Sequence, residues 1–275
     1  MNDTFVISIV TFVYFFSAFV FLISLVFKKP LAEKIALWLV YSGIALHTCA
    51  IILRWAHSYR LEIGHAPLAN FYESLVFFSW SIVFIYILAK RRYRTAFIGL
   101  MSTFFSFLIL AFAALSDAVD CTIQPLIPAL QSNWLISHVM SSFLAYACFA
   151  IAFALSILHL VKIKSGNKRE GFLPDEALLD EAAYRMISIG FVLLTIGIIT
   201  GAAWADRAWG RYWGWDPKET WSLITWLIYG AFLHARLARG WKGTRMAVIS
   251  IIGFACVIFT YLGVNYILSG LHSYL

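Results

Sequence analysis

Apolar residues fall in eight long runs, at roughly 5–27, 35–53, 71–89, 95–115, 134–161, 184–205, 219–236 and 246–268, with polar residues gathered between them. Crossing a bilayer takes about 20 predominantly apolar residues, so each run is a candidate span. Backbone amides and carbonyls in hydrocarbon must be satisfied within the segment, which makes such spans helices. The expected fold class is therefore all-α: a polytopic membrane protein of about eight transmembrane helices, forming one transmembrane domain over residues 1–275 with no soluble module.

Composition agrees. The chain is 62% hydrophobic, 17% aromatic and only 13% charged, against about a quarter charged in ordinary soluble domains. Its net charge of +7 invites a nucleic-acid reading, but the distribution argues against one. With the N-terminus outside, sixteen of the Lys and Arg residues fall in inside loops (Lys28, Lys29, Lys34; Lys90, Arg91, Arg92, Arg94; Lys162, Lys164, Lys168, Arg169, Arg185; Arg236, Arg239, Lys242, Arg245) and five outside (Arg54, Arg60, Arg207, Arg211, Lys218). The positive-inside rule accounts for that bias and puts both termini outside, on the periplasmic side. The first run lacks a basic leader and a small-residue cleavage site, so it is expected to remain as a helix. Cys49, Cys121, Cys148 and Cys256 contain no CxxC and imply neither a dithiol relay nor a thiolate metal site.

The longest polar segment, 162–183, contains LPDEALLDEAAYRM, where Pro174, Asp175 and Glu176 predict a helical start leading into the sixth span. Three outside loops remain, 54–70, 116–133 and 206–218. In the first, Pro67 and Asn70 mark a turn before Glu73 enters an apolar helix. The second has no Lys or Arg and is expected to fold back on the surface.

The third loop leads into the most unusual stretch, WGRYWGWDPKETW, Trp209 to Trp221. Asp216 is a good N-cap, Pro217 suits the first helical position, and Glu219 falls where a capping box needs its acid. Six of the eleven tryptophans (Trp204, Trp209, Trp213, Trp215, Trp221, Trp226) lie within these 23 residues of chain, 204–226. One or two fit an interfacial aromatic belt. A belt does not explain Trp213 and Trp215 alternating with Gly214, where the backbone is free for close approach. Together with Arg207, Arg211, Lys218 and the N–H groups of a helix start, the stretch suits a flat apolar ligand with anionic edges.

Intramembrane histidines are uncommon and are functional-site candidates. His138 opens the fifth span and His272 follows the eighth, both on the side of the tryptophan loop. Two neutral imidazoles can ligate a haem iron from opposite faces. His234 lies 15 residues after Glu219, about 23 Å along a helix, near the opposite membrane face. His159 is a possible partner for it. His47, His57 and His65 read as structural hydrogen-bonding residues.

WGRYWGWDPKETWSLITWLIYGAFLHAR resembles the WWD signature of the haem-handling proteins of cytochrome c biogenesis. Together with GHAPLANFYESLVFFSW, SHVMSSFLAYACFAIAF, YRMISIGFVLLTIGIITGAAWA and TYLGVNYILSGLHSYL, it makes roughly residues 60–275 similar to the CcsA/ResC family of System II. The resemblance implies a haem-binding loop at about 204–221, with Trp209, Trp213, Trp215, Trp221 and Arg211 at the porphyrin. It further implies His138 and His272 as axial ligands of haem b iron and His234 as an inner haem site. Asp216 and Glu219 remain caps, and no side chain acts as a covalent catalyst. Implied partners are a CcsB/ResB-like membrane protein, apocytochrome c bearing CxxCH, and thiol-reducing proteins outside the membrane, with no nucleic acid. The implied activity is the haem-handling part of a holocytochrome c synthase in a bacterial cytoplasmic (inner) membrane, or in the thylakoid membrane if the gene is plastid-borne. Rival readings are a System I-type haem chaperone, a regulator of haem synthesis, a bis-His cytochrome b subunit built on His138/His159 and His234/His272, and a small-molecule transporter.

Overall fold

The computed structural model describes residues 3–91, 96–165 and 174–268. Among these, all regular structure is helical: α1 (Asp3–Phe27), α2 (Pro30–Arg60), α3 (Phe71–Lys90), α4 (Ala96–Leu115), α5 (Asn133–Ser165), α6 (Glu176–Trp209), α7 (Pro217–Arg239), α8 (Thr244–Ile258) and α9 (Val264–Ile267). A 3₁₀ turn covers Pro128–Leu130, and a π-helical turn over Phe259–Gly263 joins α8 to α9. Seven helical stretches, α1 to α6 and Thr244–Ile267, are long and apolar enough to cross a membrane. The 23 residues of α7 reach about 35 Å, but Lys218, Glu219, Arg236 and Arg239 at its ends make it the most polar of the set. The chain is a multi-pass, all-α membrane protein.

Two helices extend well beyond their apolar runs. α2 continues to Arg60, past Arg54, which the sequence placed in a loop. α6 begins at Glu176 and continues to Trp209, taking in Asp206 and Arg207. In each case polar residues end the hydropathy signal but not the helix. Part of the 90–95 loop, the segment 166–173 and the closing stretch with His272 lie outside the described residues.

The chain divides into two compact units, Met1–Ser132 and Asn133–Leu275. In the first, α1 packs on α2 and α4, and α3 packs on α4. Its polar centre is Arg54, whose Nε donates to Glu73 Oε1 at 2.8 Å and Nη1 to Asp3 Oδ2 at 3.0 Å. Nη2 reaches the Thr122 carbonyl at 3.4 Å, and the guanidinium lies 5.0 Å from the Tyr72 ring centre. All three charged side chains are buried. Glu73 also caps α3: its Oε2 accepts from Ala69 N at 2.8 Å, and its own N–H donates to Asn70 Oδ1 at 2.8 Å. Two of the three histidines here make hydrogen bonds within the unit. His47 Nδ1 meets the Tyr14 hydroxyl at 3.2 Å, His65 Nε2 reaches the Gln124 carbonyl at 3.0 Å, and His57 lies 3.9 Å from Asp3.

In the second unit α5 runs along α6, α8 packs against α5 and α7, and α7 also meets α6. Close approach of α5 and α6 depends on small residues, as is common between membrane helices. A Cβ at Gly190 would come 2.6 Å from the Phe149 ring, and one at Gly197 would come 2.6 Å from Ser142 Oγ.

Candidate functional site

α6 closes on Gly210, whose φ of +71° suits the left-handed cap and whose N–H donates to the Asp206 carbonyl at 2.8 Å. Trp204 and Trp209 are therefore helical, and the true loop is only 210–216. Its far end is a capping box. Asp216 Oδ1 accepts from Lys218 N at 3.0 Å, while Glu219 Oε2 accepts from Gly214 N at 2.7 Å and Asp216 N at 3.1 Å. Glu219 thus holds the backbone on both sides of Trp215, a bulky residue in the left-handed region (φ +56°) with 69% of its surface exposed. Such a conformation costs about 1–3 kcal/mol and persists only where its surroundings over-determine it. Trp213 meets Trp215 edge-on at 5.7 Å. The Arg211 guanidinium lies across Gly214, where a Cβ would stand 2.7 Å from its carbon.

Glu219→Ala removes both acceptor contacts and is expected to cost about 0.5–2 kcal/mol, the range for loss of a cap. Thermal unfolding in detergent measures that cost. A red-shifted tryptophan emission should accompany it as the loop loosens.

His138, near the start of α5, is half-buried against α6. Its Nδ1 lies 2.7 Å from the Gly197 carbonyl oxygen. A carbonyl only accepts, so Nδ1 carries a proton; in the neutral form of the ring the lone pair is then on Nε2, the nitrogen suited to a metal. Gly201 makes room for this pose, since a Cβ there would come 2.6 Å from His138 Nδ1. The Trp204 indole, 1% exposed, lies nearly parallel to the imidazole with centres 6.0 Å apart. Trp209 then meets Trp204 at 4.9 Å. Imidazole, Trp204 and Trp209 form one aromatic run at the end of α6. Sequence reasoning passed over Gly197 and Gly201, although their four-residue spacing is the kind that lets membrane helices approach closely.

The remaining tryptophans pack within the unit. Trp221 contacts Phe259 of the π-helical turn at 4.2 Å. Trp226 donates to Thr195 Oγ1 at 2.9 Å and stacks on Phe191. His272 lies outside the described residues. His234 is exposed on α7, whereas Phe232, two residues earlier, is buried. Two helical residues turn about 200°, so when Phe232 faces inward His234 faces outward. His159 is buried and lines a cavity of about 10 Å³ with Phe232. The supposed partnership of His159 with His234 is therefore not found, and His234 is not a buried residue of this chain.

Residues 68–272 match the family described as Cytochrome C assembly protein. Relatives named "Cytochrome c biogenesis protein CcsA" include one from Chlamydomonas reinhardtii, 44% identical over 88% of this chain and 69% of its own length. Another from Guillardia theta is 42% identical over 92% and 89%, and one from Synechococcus sp. (strain CC9902) is 38% identical over 94% of both. The chain belongs to the cytochrome c assembly protein family and, within it, to the CcsA group. Its fold is also like that of a solved structure titled "Cytochrome c Heme Lyase CcmF", with a TM-score of 0.72 at 17% identity, over 95% of this chain and 47% of that one.

Proposed function

We propose that this protein holds haem b at the tryptophan-loop end of its second unit and presents it to apocytochrome c for covalent attachment. The observation that carries this reading is His138. Its Nδ1–H is committed to the Gly197 carbonyl at 2.7 Å, its ring is braced by Trp204, and its tautomer leaves Nε2 as the electron-pair donor. A second-shell acceptor of this kind fixes ring orientation and raises ligand basicity. His272 would supply the opposite axial ligand. Trp209, Trp213 and Trp215 would lie against the macrocycle, with Arg211 and Lys218 near its carboxylates.

With iron and ring fixed, the vinyl groups stand in place for the two CxxCH thiols. Each thiol adds across one vinyl C=C, so a C–S bond and a C–H bond form and no net oxidant is consumed. Positioning is the catalytic resource, and a well-oriented pair can gain roughly 7–11 kcal/mol. Thiol-reducing proteins outside the membrane would keep the cysteines available.

The exposed His234 supports a partner. An exposed imidazole on a helix of a membrane protein is a candidate contact, and a transmembrane helix of a CcsB/ResB-like protein would both cover it and complete an inner haem site. The working orientation puts both termini and the tryptophan loop outside, in a bacterial cytoplasmic membrane or a thylakoid. A cytochrome b reading that uses His159 as a ligand is disfavoured, because the cavity beside that ring, about 10 Å³, has no room for a macrocycle.

The test is co-expression with a CcsB/ResB-like protein and a CxxCH apocytochrome, reading covalent haem and the visible spectrum of the purified complex. His138→Ala and His272→Ala should each abolish the low-spin signal of the outer site. His234→Ala should prevent haem from reaching it. Normal holocytochrome yields from all three variants would overturn the proposal.

A further inference from the structure

At the end of the second unit away from the tryptophan loop, one titratable side chain plays no part in the scheme above. His159 of α5 is 4% exposed, and neither of its ring nitrogens has a hydrogen-bond partner among the described residues. An isolated buried polar group costs on the order of 1–3 kcal/mol, so the ring's surroundings need an account. It borders the 10 Å³ cavity, which is lined also by Ser156, Asp180, Phe232 and Met246. Gly243 makes part of the room: its φ of +70° with ψ of −138° is a conformation for glycine, and it presents no side chain beside His159 Nε2.

Asp180 is already the hub of a clamp on α7. One carboxylate oxygen accepts from Arg236 Nη1 and the other from Gly243 N at 2.9 Å. Arg236 also donates to Glu181 Oε2 at 3.4 Å and to the Trp241 carbonyl at 3.3 Å, and its guanidinium lies 5.0 Å from the Tyr184 ring centre. The clamp joins α6, α7 and the entry to α8. Among the described residues α5 shows no polar link to it, and α5 is the helix that brings His159 to the cavity beside Asp180.

We propose that the cavity is a binding site for one water molecule, which bridges the His159 imidazole to the Asp180 carboxylate. A cavity of about 10–15 Å³ suffices for one water, which needs two to four polar partners. His159, Asp180 and Ser156 supply three. The water accepts from His159 N–H and donates to Asp180, whose oxygens each retain an acceptor site beside the bonds they already make. Bridged in this way, α5 joins the clamp, and the end of α7 that carries His234 is fixed by all three neighbouring helices. The site does not depend on any reading of haem ligation.

A double-mutant cycle on the purified full chain tests it, using His159→Leu and Asp180→Asn in thermal unfolding. If the water bridges the two groups, His159→Leu lowers Tm by about 2–4 °C, the shift that 1 kcal/mol produces in a chain of this order. The double variant then loses clearly less than the sum of the singles. If the imidazole is merely a dry, unsatisfied group, His159→Leu raises Tm and the two substitutions add, and the proposal fails. Should His159→Leu not fold, a high-resolution density map of the wild-type protein decides instead. A solvent peak within hydrogen-bonding distance of both His159 and Asp180 is expected, and its absence overturns the site.

Discussion

Gly201→Val should reduce holocytochrome formation by about 100-fold while leaving the protein in the membrane at near-normal level. Gly201 touches no proposed ligand of the iron except through His138. A Cβ at this position would come 2.6 Å from Nδ1 and 2.8 Å from Cε1 of that ring, and the two extra methyls of Val deepen the overlap. α6 itself tolerates Val, so the imidazole must yield. Moving it breaks the 2.7 Å bond to the Gly197 carbonyl and the parallel arrangement with Trp204. Displacing a reacting group by about 1 Å can cost 100-fold in rate. Added imidazole separates the two ways of losing activity. If the ring has been pushed aside, free imidazole should restore a low-spin haem spectrum to Gly201→Val. If the helix pair has come apart, it should not. A Gly201→Val protein with wild-type spectrum and yield would show that the fit of this ring against α6 is unimportant, whatever the fate of His138→Ala.

Arg54→Ala should destabilise the first unit by about 3–5 kcal/mol, the usual cost of removing one partner from a buried ion pair. The loss leaves Asp3 and Glu73 facing each other's charge, at 5% and 1% side-chain exposure, without their shared cation. It also removes one of two donors to the Thr122 carbonyl, leaving only Asn70 Nδ2 at 3.1 Å, so α1, α2, the start of α3 and the 116–132 segment should loosen together. Proteolytic nicking of that segment and a lowered Tm are the measurements. The triple variant Arg54→Met, Asp3→Asn, Glu73→Gln should recover much of the stability, because the penalty comes from unpaired charge more than from any large net gain in the paired state. Equal instability of the single and triple variants would mean that packing around Arg54, not charge balance, is what matters.

These two sites differ in how much of them can be read along the chain. The spans are legible because about twenty apolar residues in a row have few other uses. The capping box of Asp216 and Glu219 is legible because donor and acceptor lie three residues apart. Arg54 misleads: a charge at the end of an apolar run looks like a loop until Asp3, 51 positions away, is seen to neutralise it. The contact of His138 with Gly197 spans 59 positions, and only the pairing of α5 with α6 makes it. His234 and His159 illustrate the opposite error. Both fall near the same end of their helices, but height along a helix says nothing of rotation about its axis, and Phe232 holds the inward position that the supposed pair required.

Trp215 has a thermodynamic meaning beyond its geometry. Its backbone is held on both sides by one carboxylate, and its indole edge is set by Trp213, so little conformational entropy remains to be lost when a flat molecule settles on it. Ordering a free side chain at an interface costs about 0.5–1.5 kcal/mol, and the held backbone and the contact with Trp213 reduce what remains of that cost. If haem settles on this loop as proposed, it should do so with a small entropic penalty, and because the ring itself need not close or open, release would be governed by whatever competes for the iron.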